Sequence, residues 1–136
     1  MREIKFLLYL KTDQDCRKYA VTQIEYKRYG DFDINRIYYG DYYVIGEALK
    51  NGFANLAQYT GLKDVNGREI YEGDIVKGKY YTQGKENRFI GQVKFLSPSF
   101  QVVGINQYYG MNQELNSLYE VIGNIYENKE FLGETK

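Results

Sequence analysis

Gln58-Tyr59-Thr60-Gly61-Leu62-Lys63-Asp64-Val65-Asn66-Gly67-Arg68-Glu69-Ile70-Tyr71-Glu72-Gly73-Asp74-Ile75-Val76 is a string of turn residues set between short apolar pieces. Such spacing leaves no room for a helix and reads as tight β-structure. Asn66-Gly67 is the strongest hairpin signal in the chain, because both central positions of a type I′ turn need positive φ. Gly73 supplies a second permissive turn, and the Asp74 side chain can accept backbone hydrogen bonds before Ile75 and Val76 open the next strand.

Toward the C-terminus, Gln83 to Asn87 separates a strand Ile75–Tyr81 from a strand Phe89–Leu96. Ser97-Pro98-Ser99 then separates that strand from Phe100–Ile105, so three consecutive strands form a meander. Residues Asn106 to Asn116 are amide-rich and read as an exposed loop. Val121–Tyr126 is the last strand, and Asn128 caps one helical turn that sets Phe131 and Leu132 against the end of the sheet.

Toward the N-terminus, Ile4, Phe6 and Leu8 alternate with Lys5, Leu7 and Tyr9, a pattern of a strand central in a sheet. Tyr19 to Arg28 reads as one half-exposed strand, with Ala20, Thr22, Ile24 and Tyr26 on one face. Arg36–Tyr39 and Tyr42–Ile45 are two further short strands, and their pairing is left open. Gly46 to Tyr59 reads two ways: Leu49, Phe53, Leu56 and Ala57 fall at helical spacing with Gly52 in the interior, but a short helix Gly46–Asn51 with Gly52 as its C′ residue, followed by a strand from Phe53 to Tyr59, is preferred. The fold class is therefore mainly β (α+β). A small SH3-like barrel or meander in residues 58–136 packs beside an N-terminal α+β subdomain of residues 1–57, as one cooperative unit.

Composition narrows the classes. The chain has 136 residues, enough for one domain or two small subdomains that fold without metal or disulfide. A single cysteine, Cys16, forbids an internal disulfide and points to a reducing compartment. No N-terminal apolar stretch is long enough for a signal sequence or a membrane span. Eighteen basic and eighteen acidic residues cancel, which removes the global field that non-specific nucleic-acid binding uses. Sixteen tyrosines stand against no tryptophan and no histidine. Tyrosine fills strands well, and its apolar ring with a polar tip also suits a contact surface. The pairs Tyr38-Tyr39, Tyr42-Tyr43, Tyr80-Tyr81 and Tyr108-Tyr109 put one ring on each face of any strand that holds them.

Three blocks together resemble the YopX protein family. They are Met1-Arg2-Glu3-Ile4-Lys5-Phe6, the central Gln58–Asp64 with Asn66-Gly67 and Ile70–Val76, and the closing Glu120-Val121-Ile122-Gly123-Asn124-Ile125-Tyr126-Glu127-Asn128. The resemblance covers both ends and the middle in order. It implies a phage or prophage origin and a cytoplasmic setting in a bacterial host, and it implies no activity. The chain departs from the family pattern at Leu7-Leu8-Tyr9-Leu10, where an Arg-Ala-Trp-Asp-like stretch is usual, and at Lys129, where proline is usual.

No constellation in the sequence demands catalysis. Asp64, Glu69, Glu72 and Asp74 gather carboxylates near a turn, as a metal or acid/base site would, but turn chemistry explains them equally. Asp13 with Asp15 and Asp31 with Asp33 read as solvated loop carboxylates. Cys16 would need a base other than histidine to act as a nucleophile. Gly61, Gly67 and Gly73 are spread over hairpins and open no phosphate-binding helix. Enzyme, cofactor and metal are accordingly not expected. The first functional expectation is a protein-binding module, contacting a protein partner or a second copy through Tyr38, Tyr39, Tyr42, Tyr43, Tyr108 and Tyr109. The second is a small-barrel nucleic-acid binder, in which Lys77, Lys79, Lys85 and Arg88 meet phosphates while Tyr80 and Tyr81 stack on bases.

Overall fold

The computed structural model describes residues 4–12, 15–27, 33–128 and 130. The chain forms two compact units, divided between Gln58 and Tyr59. The expected helical turn after Asn128 falls on Phe131 and Leu132, outside the described residues.

In the first unit, β1 (Phe6–Lys11) is central, paired antiparallel with β2 (Cys16–Ala20) on one side. A second sheet holds β3 (Gln23–Tyr26), β4 (Ile34–Tyr39) and β5 (Tyr42–Ile45) in sequence order. Helix α1 (Glu47–Lys50) is one turn long and is followed by Gly52 at φ 85°, the left-handed position expected of a C′ residue. The first half of β6 (Ala54–Lys63) returns to pair with β1. Leu8, Ile37 and Ala54 form the fully buried centre, packed by Leu10, Val44, Leu49 and Leu56. The stretch read as one strand from Tyr19 to Arg28 is two strands. Val21 donates its amide to Phe6 O, whereas the next amide, Thr22, goes to Tyr38 O. Successive amides point opposite ways along extended chain, so this is where the backbone passes from one sheet to the other while the period-2 pattern runs on unbroken.

In the second unit, β7 (Glu69–Tyr71) pairs with the second half of β6. The meander β8 (Asp74–Thr82), β9 (Lys85–Leu96), β10 (Ser99–Gly104) follows as expected, extended by β11 (Asn112–Glu114) on one edge and by β12 (Glu120–Asn124) on the other. The result is a curled, mainly β sheet in the order β11-β10-β9-β8-β12. Ile70, Val76, Phe89, Val93, Val102, Tyr119 and Val121 lie at its core.

The type I′ turn expected at Asn66-Gly67 forms instead at Gln83-Gly84. Gln83 and Gly84, at φ 51° and 76°, are the residues that both take positive φ, joining the paired Thr82 and Lys85 in a type I′ turn. At Asn66-Gly67 only Gly67 is left-handed, at φ 83°. The cause is Asp64. Its Oδ1 accepts the amides of Asn66 (2.8 Å) and Arg68 (2.9 Å), which sets a turn over Val65 and Asn66 closed by Gly67 N to Asp64 O. Its Oδ2 accepts the amide of Val121 at 2.9 Å.

The Asn106–Asn116 stretch is largely exposed, as expected, but is structured rather than a simple loop. A 3-10 turn over Asn106–Tyr108 folds back on the sheet, Met111 O accepts the Gly104 amide, and Tyr108 and Leu115 are buried. Tyr108 is pinned by its ring, edge-on to Phe89 at 5.7 Å, and by its hydroxyl, which accepts from Arg88 Nε at 3.1 Å.

Burial alone would push the Asp64 carboxyl up; its three backbone amides and the Arg68 charge outweigh that and hold it below the usual carboxylate range. Asp64→Asn, which turns an amide donor toward one of those N–H groups, is predicted to cost about 2–4 kcal/mol by chemical denaturation. A depressed carboxyl contributes stability above its unfolded value and loses it as pH falls through the folded one. The wild type should therefore lose stability more steeply than Asp64→Asn as pH drops below about 4.

Candidate functional site

Among the described residues of the first unit, four tyrosines gather on the β4–β5 hairpin. Register sets Tyr38 opposite Tyr43 and Tyr39 opposite Tyr42, so the two adjacent pairs separate onto two faces. Tyr38 and Tyr43 lie 5.6 Å apart on the outer face. Arg36 shares that face: its guanidinium sits 4.8 Å above the Tyr43 ring, Nη1 donates to the Tyr38 hydroxyl at 3.3 Å, and Glu25 lies 3.9 Å from Nε. On the other face Tyr39 and Tyr42 stack at 6.0 Å beyond the core residues Ile37 and Val44, and Tyr19 of β2 closes on Tyr39 at 4.7 Å. Tyr42 is 70% exposed and Tyr43 49%. An open groove of ≈ 750 Å³ runs beside them, lined by Tyr19, Ala20, Thr22, Tyr39, Gly40, Asp41 and Tyr42.

The structure places Tyr38, Tyr39, Tyr42 and Tyr43 on one hairpin and adds two residues that the sequence reading did not name. Arg36 stands two residues before Tyr38, the same-face spacing of a strand, and that signal was available. Tyr19 comes from a different sheet and carried none. Tyr108 and Tyr109 part company: Tyr108 belongs to the core of the second unit, and Tyr109 is 88% exposed.

The basic stretch divides in the same way. Lys77, Lys79, Tyr81, Glu86 and Arg88 share the outer face of β8–β9, since Lys79 pairs with Arg88 and Tyr81 with Glu86. Tyr80 turns to the core side and meets Phe89 edge-on at 6.1 Å, so it is not placed to stack on a base with Tyr81. Lys85 is exposed at the turn. Lys77 pairs with Glu120 at 3.8 Å and Lys79 with Glu86 at 3.3 Å, while Tyr81 donates to Glu86 Oε2. Partly neutralised cations on a strand attract phosphate less than their number suggests.

Of the four carboxylates near the central turns, Asp64, Glu69 and Asp74 are tied to the backbone or to a neighbouring side chain. Asp64 holds three amides, Asp74 Oδ2 accepts the Tyr71 amide at 2.8 Å, and Glu69 accepts the Tyr71 hydroxyl at 3.0 Å. Among the described residues no three acidic or cysteine side chains converge as metal ligands. Burial, then the Glu69 hydrogen bond and charge, pushes the Tyr71 phenol up, and burial pushes Tyr119 up to about 12. Both phenols are protonated near neutral pH. Cys16 lies half-buried in β2 opposite Lys11. Asp15 accepts from Thr12, and Asp33 lies within ion-pair reach of Lys27 and Lys50; Asp13 and Asp31 fall outside the described residues.

The model of the YopX protein family matches residues 7–133. The chain belongs to the YopX protein family. No curated protein matches it. Among solved structures it is similar to the crystal structure of protein EF1440 from Enterococcus faecalis, at 24% identity and a TM-score of 0.52, covering 97% of this chain and 99% of that one. That likeness supports the small β fold of this YopX family member and extends to nothing further. No helix among its described residues is long and apolar enough to cross a membrane.

The split of the last tyrosine pair is directly testable. Tyr108→Ala should cost about 3–5 kcal/mol in denaturant unfolding, as a buried aromatic does, and Tyr109→Ala should stay within about 0.5 kcal/mol of wild type.

Proposed function

We propose that this YopX family member is a phage or prophage accessory protein that acts in the bacterial cytoplasm as a non-enzymatic protein-binding module, and that the β4–β5 hairpin is its contact surface. One observation carries this reading: the hairpin holds four tyrosine rings and the Arg36 guanidinium in two clusters, one on each face, yet leaves Tyr42, Tyr43 and Ile45 about half exposed or more. Rings held this way lose little conformational freedom on contact, and tyrosine with arginine is the composition of interface centres. The groove beside Tyr39 and Tyr42 gives the surface the relief that a flat sheet lacks. The nucleic-acid reading stands second, because Lys77 and Lys79 already have carboxylate partners and Tyr80 faces inward.

The test is affinity capture from extract of phage-induced bacterial cells, with and without nuclease, comparing wild type with a Tyr42→Ser/Tyr43→Ser variant. Both side chains are exposed, so the variant should fold within about 1 kcal/mol of wild type. A protein retained in stoichiometric amount by the wild type after nuclease, and lost by the variant, is expected. Retention that vanishes with nuclease, or that the variant keeps, would sink the hairpin reading.

A further inference from the structure

Strand β8 is longer than the strand beside it. β12 covers β8 only as far as Lys77, which pairs with Glu120, and residues 78–82 pair with β9 alone. The register tells which way the uncovered backbone points. Val121 turns its amide away from β8, to Asp64 Oδ2, so Glu120 is the residue that exchanges hydrogen bonds with Lys77. Alternation then directs the N–H and C=O of Lys79 and Tyr81 the same way as those of Lys77, away from β9. The two-residue turn closed by Thr82 and Lys85 demands the same phase. Two donors and two acceptors therefore line an open sheet edge.

We propose that this edge is a homodimerisation site, at which a second copy of the chain adds its own β8 antiparallel, about a two-fold axis through Tyr80. In that register Lys79 of each copy faces Tyr81 of the other, and the outward backbone groups of all four residues are satisfied at once. Charge favours this occupant. An exposed lysine ordinarily guards an edge against pairing, but Lys79 brings its own counter-ion, Glu86, at 3.3 Å. Opposite it stands the Tyr81 ring of the other copy, 70% exposed and tethered to that copy's own Glu86 at 3.0 Å, a face suited to an ammonium group. The half-buried Tyr80 rings meet across the axis. The Tyr119 ring already covers Gly78, so pairing is confined to residues 79–81, beside the groove of ≈ 440 Å³ where Val65 and Leu118 are exposed. This surface is distinct from the aromatic hairpin, and the proposal does not depend on it.

Sedimentation velocity of the full chain decides the matter. Wild type should shift from monomer to dimer between about 10 μM and about 1 mM, the range of a modest interface. Tyr81→Pro removes one outward N–H and leaves the β8–β9 ladder intact, so it should raise the dimer dissociation constant at least about tenfold while the far-ultraviolet circular dichroism is kept. Should proline prevent folding, Tyr81→Lys serves instead: it sets two lysines face to face across the axis and should have the same effect. Adding Lys79→Glu to Tyr81→Lys places opposite charges there and should restore the dimer. A wild type that stays monomeric throughout, substitutions that leave the dimer unchanged, or a double variant that fails to recover would overturn the proposal.

Discussion

The Asp64 carboxylate organises the second unit. Three backbone amides converge on its two oxygens, two from its own turn and one from Val121 at the start of the last strand. A buried carboxylate is costly unless it is fully hydrogen-bonded, and a buried amide without an acceptor is costly in its turn. Each side of this contact removes the other's penalty. The same contact orients Val121 so that Glu120 and Lys77 can pair, and thereby sets the register of β12 on β8. Asp74 and Asn124 repeat the device on a smaller scale: one accepts the Tyr71 amide, the other the amides of Tyr126 and Glu127. Buried acidic and amide side chains in this chain act as turn anchors.

Much of the architecture was legible because strand alternation and turn chemistry act locally. The meander from Ile75 to Gly104, the central position of β1 and the Gly52 helix stop all arise from neighbours within a few residues. The features that escaped were set at a distance. Asn66-Gly67 has the composition of a type I′ turn, but Asp64 captures the flanking amides and imposes another shape. Gln83-Gly84 looks less favourable and yet takes the type I′ form, since the long ladder on both sides fixes the two-residue connection. The break between Val21 and Thr22 is invisible to periodicity, because only the identity of the two acceptors changes there.

The tyrosines show how one residue type serves two purposes. An adjacent pair in a strand must divide between faces, and whether the second face is core or surface depends on what lies above it. In the first unit both faces of the β4–β5 hairpin stay partly open, so Tyr38, Tyr39, Tyr42 and Tyr43 form clusters with exposed edges. In the second unit one face is closed, so Tyr80 and Tyr108 turn to Phe89 while Tyr81 and Tyr109 turn outward. Sequence could mark the pairs as notable. It could not sort them, because the sorting depends on sheet closure.

The reach of Asp64 to Val121, across 57 positions of chain, also bears on synthesis. Residues 4–58 are contiguous, and the β1–β2, β1–β6, β3–β4 and β4–β5 ladders close within them, so this unit can mature while the ribosome is still adding the remaining residues. The later unit has no such liberty. Its anchoring carboxylate emerges early with two of its three amides, and the third arrives only when nearly the whole sheet has been translated. Until then the nascent segment carries an incomplete sheet with an exposed edge, and the interval before Val121 emerges is the time when a chaperone would have most to cover.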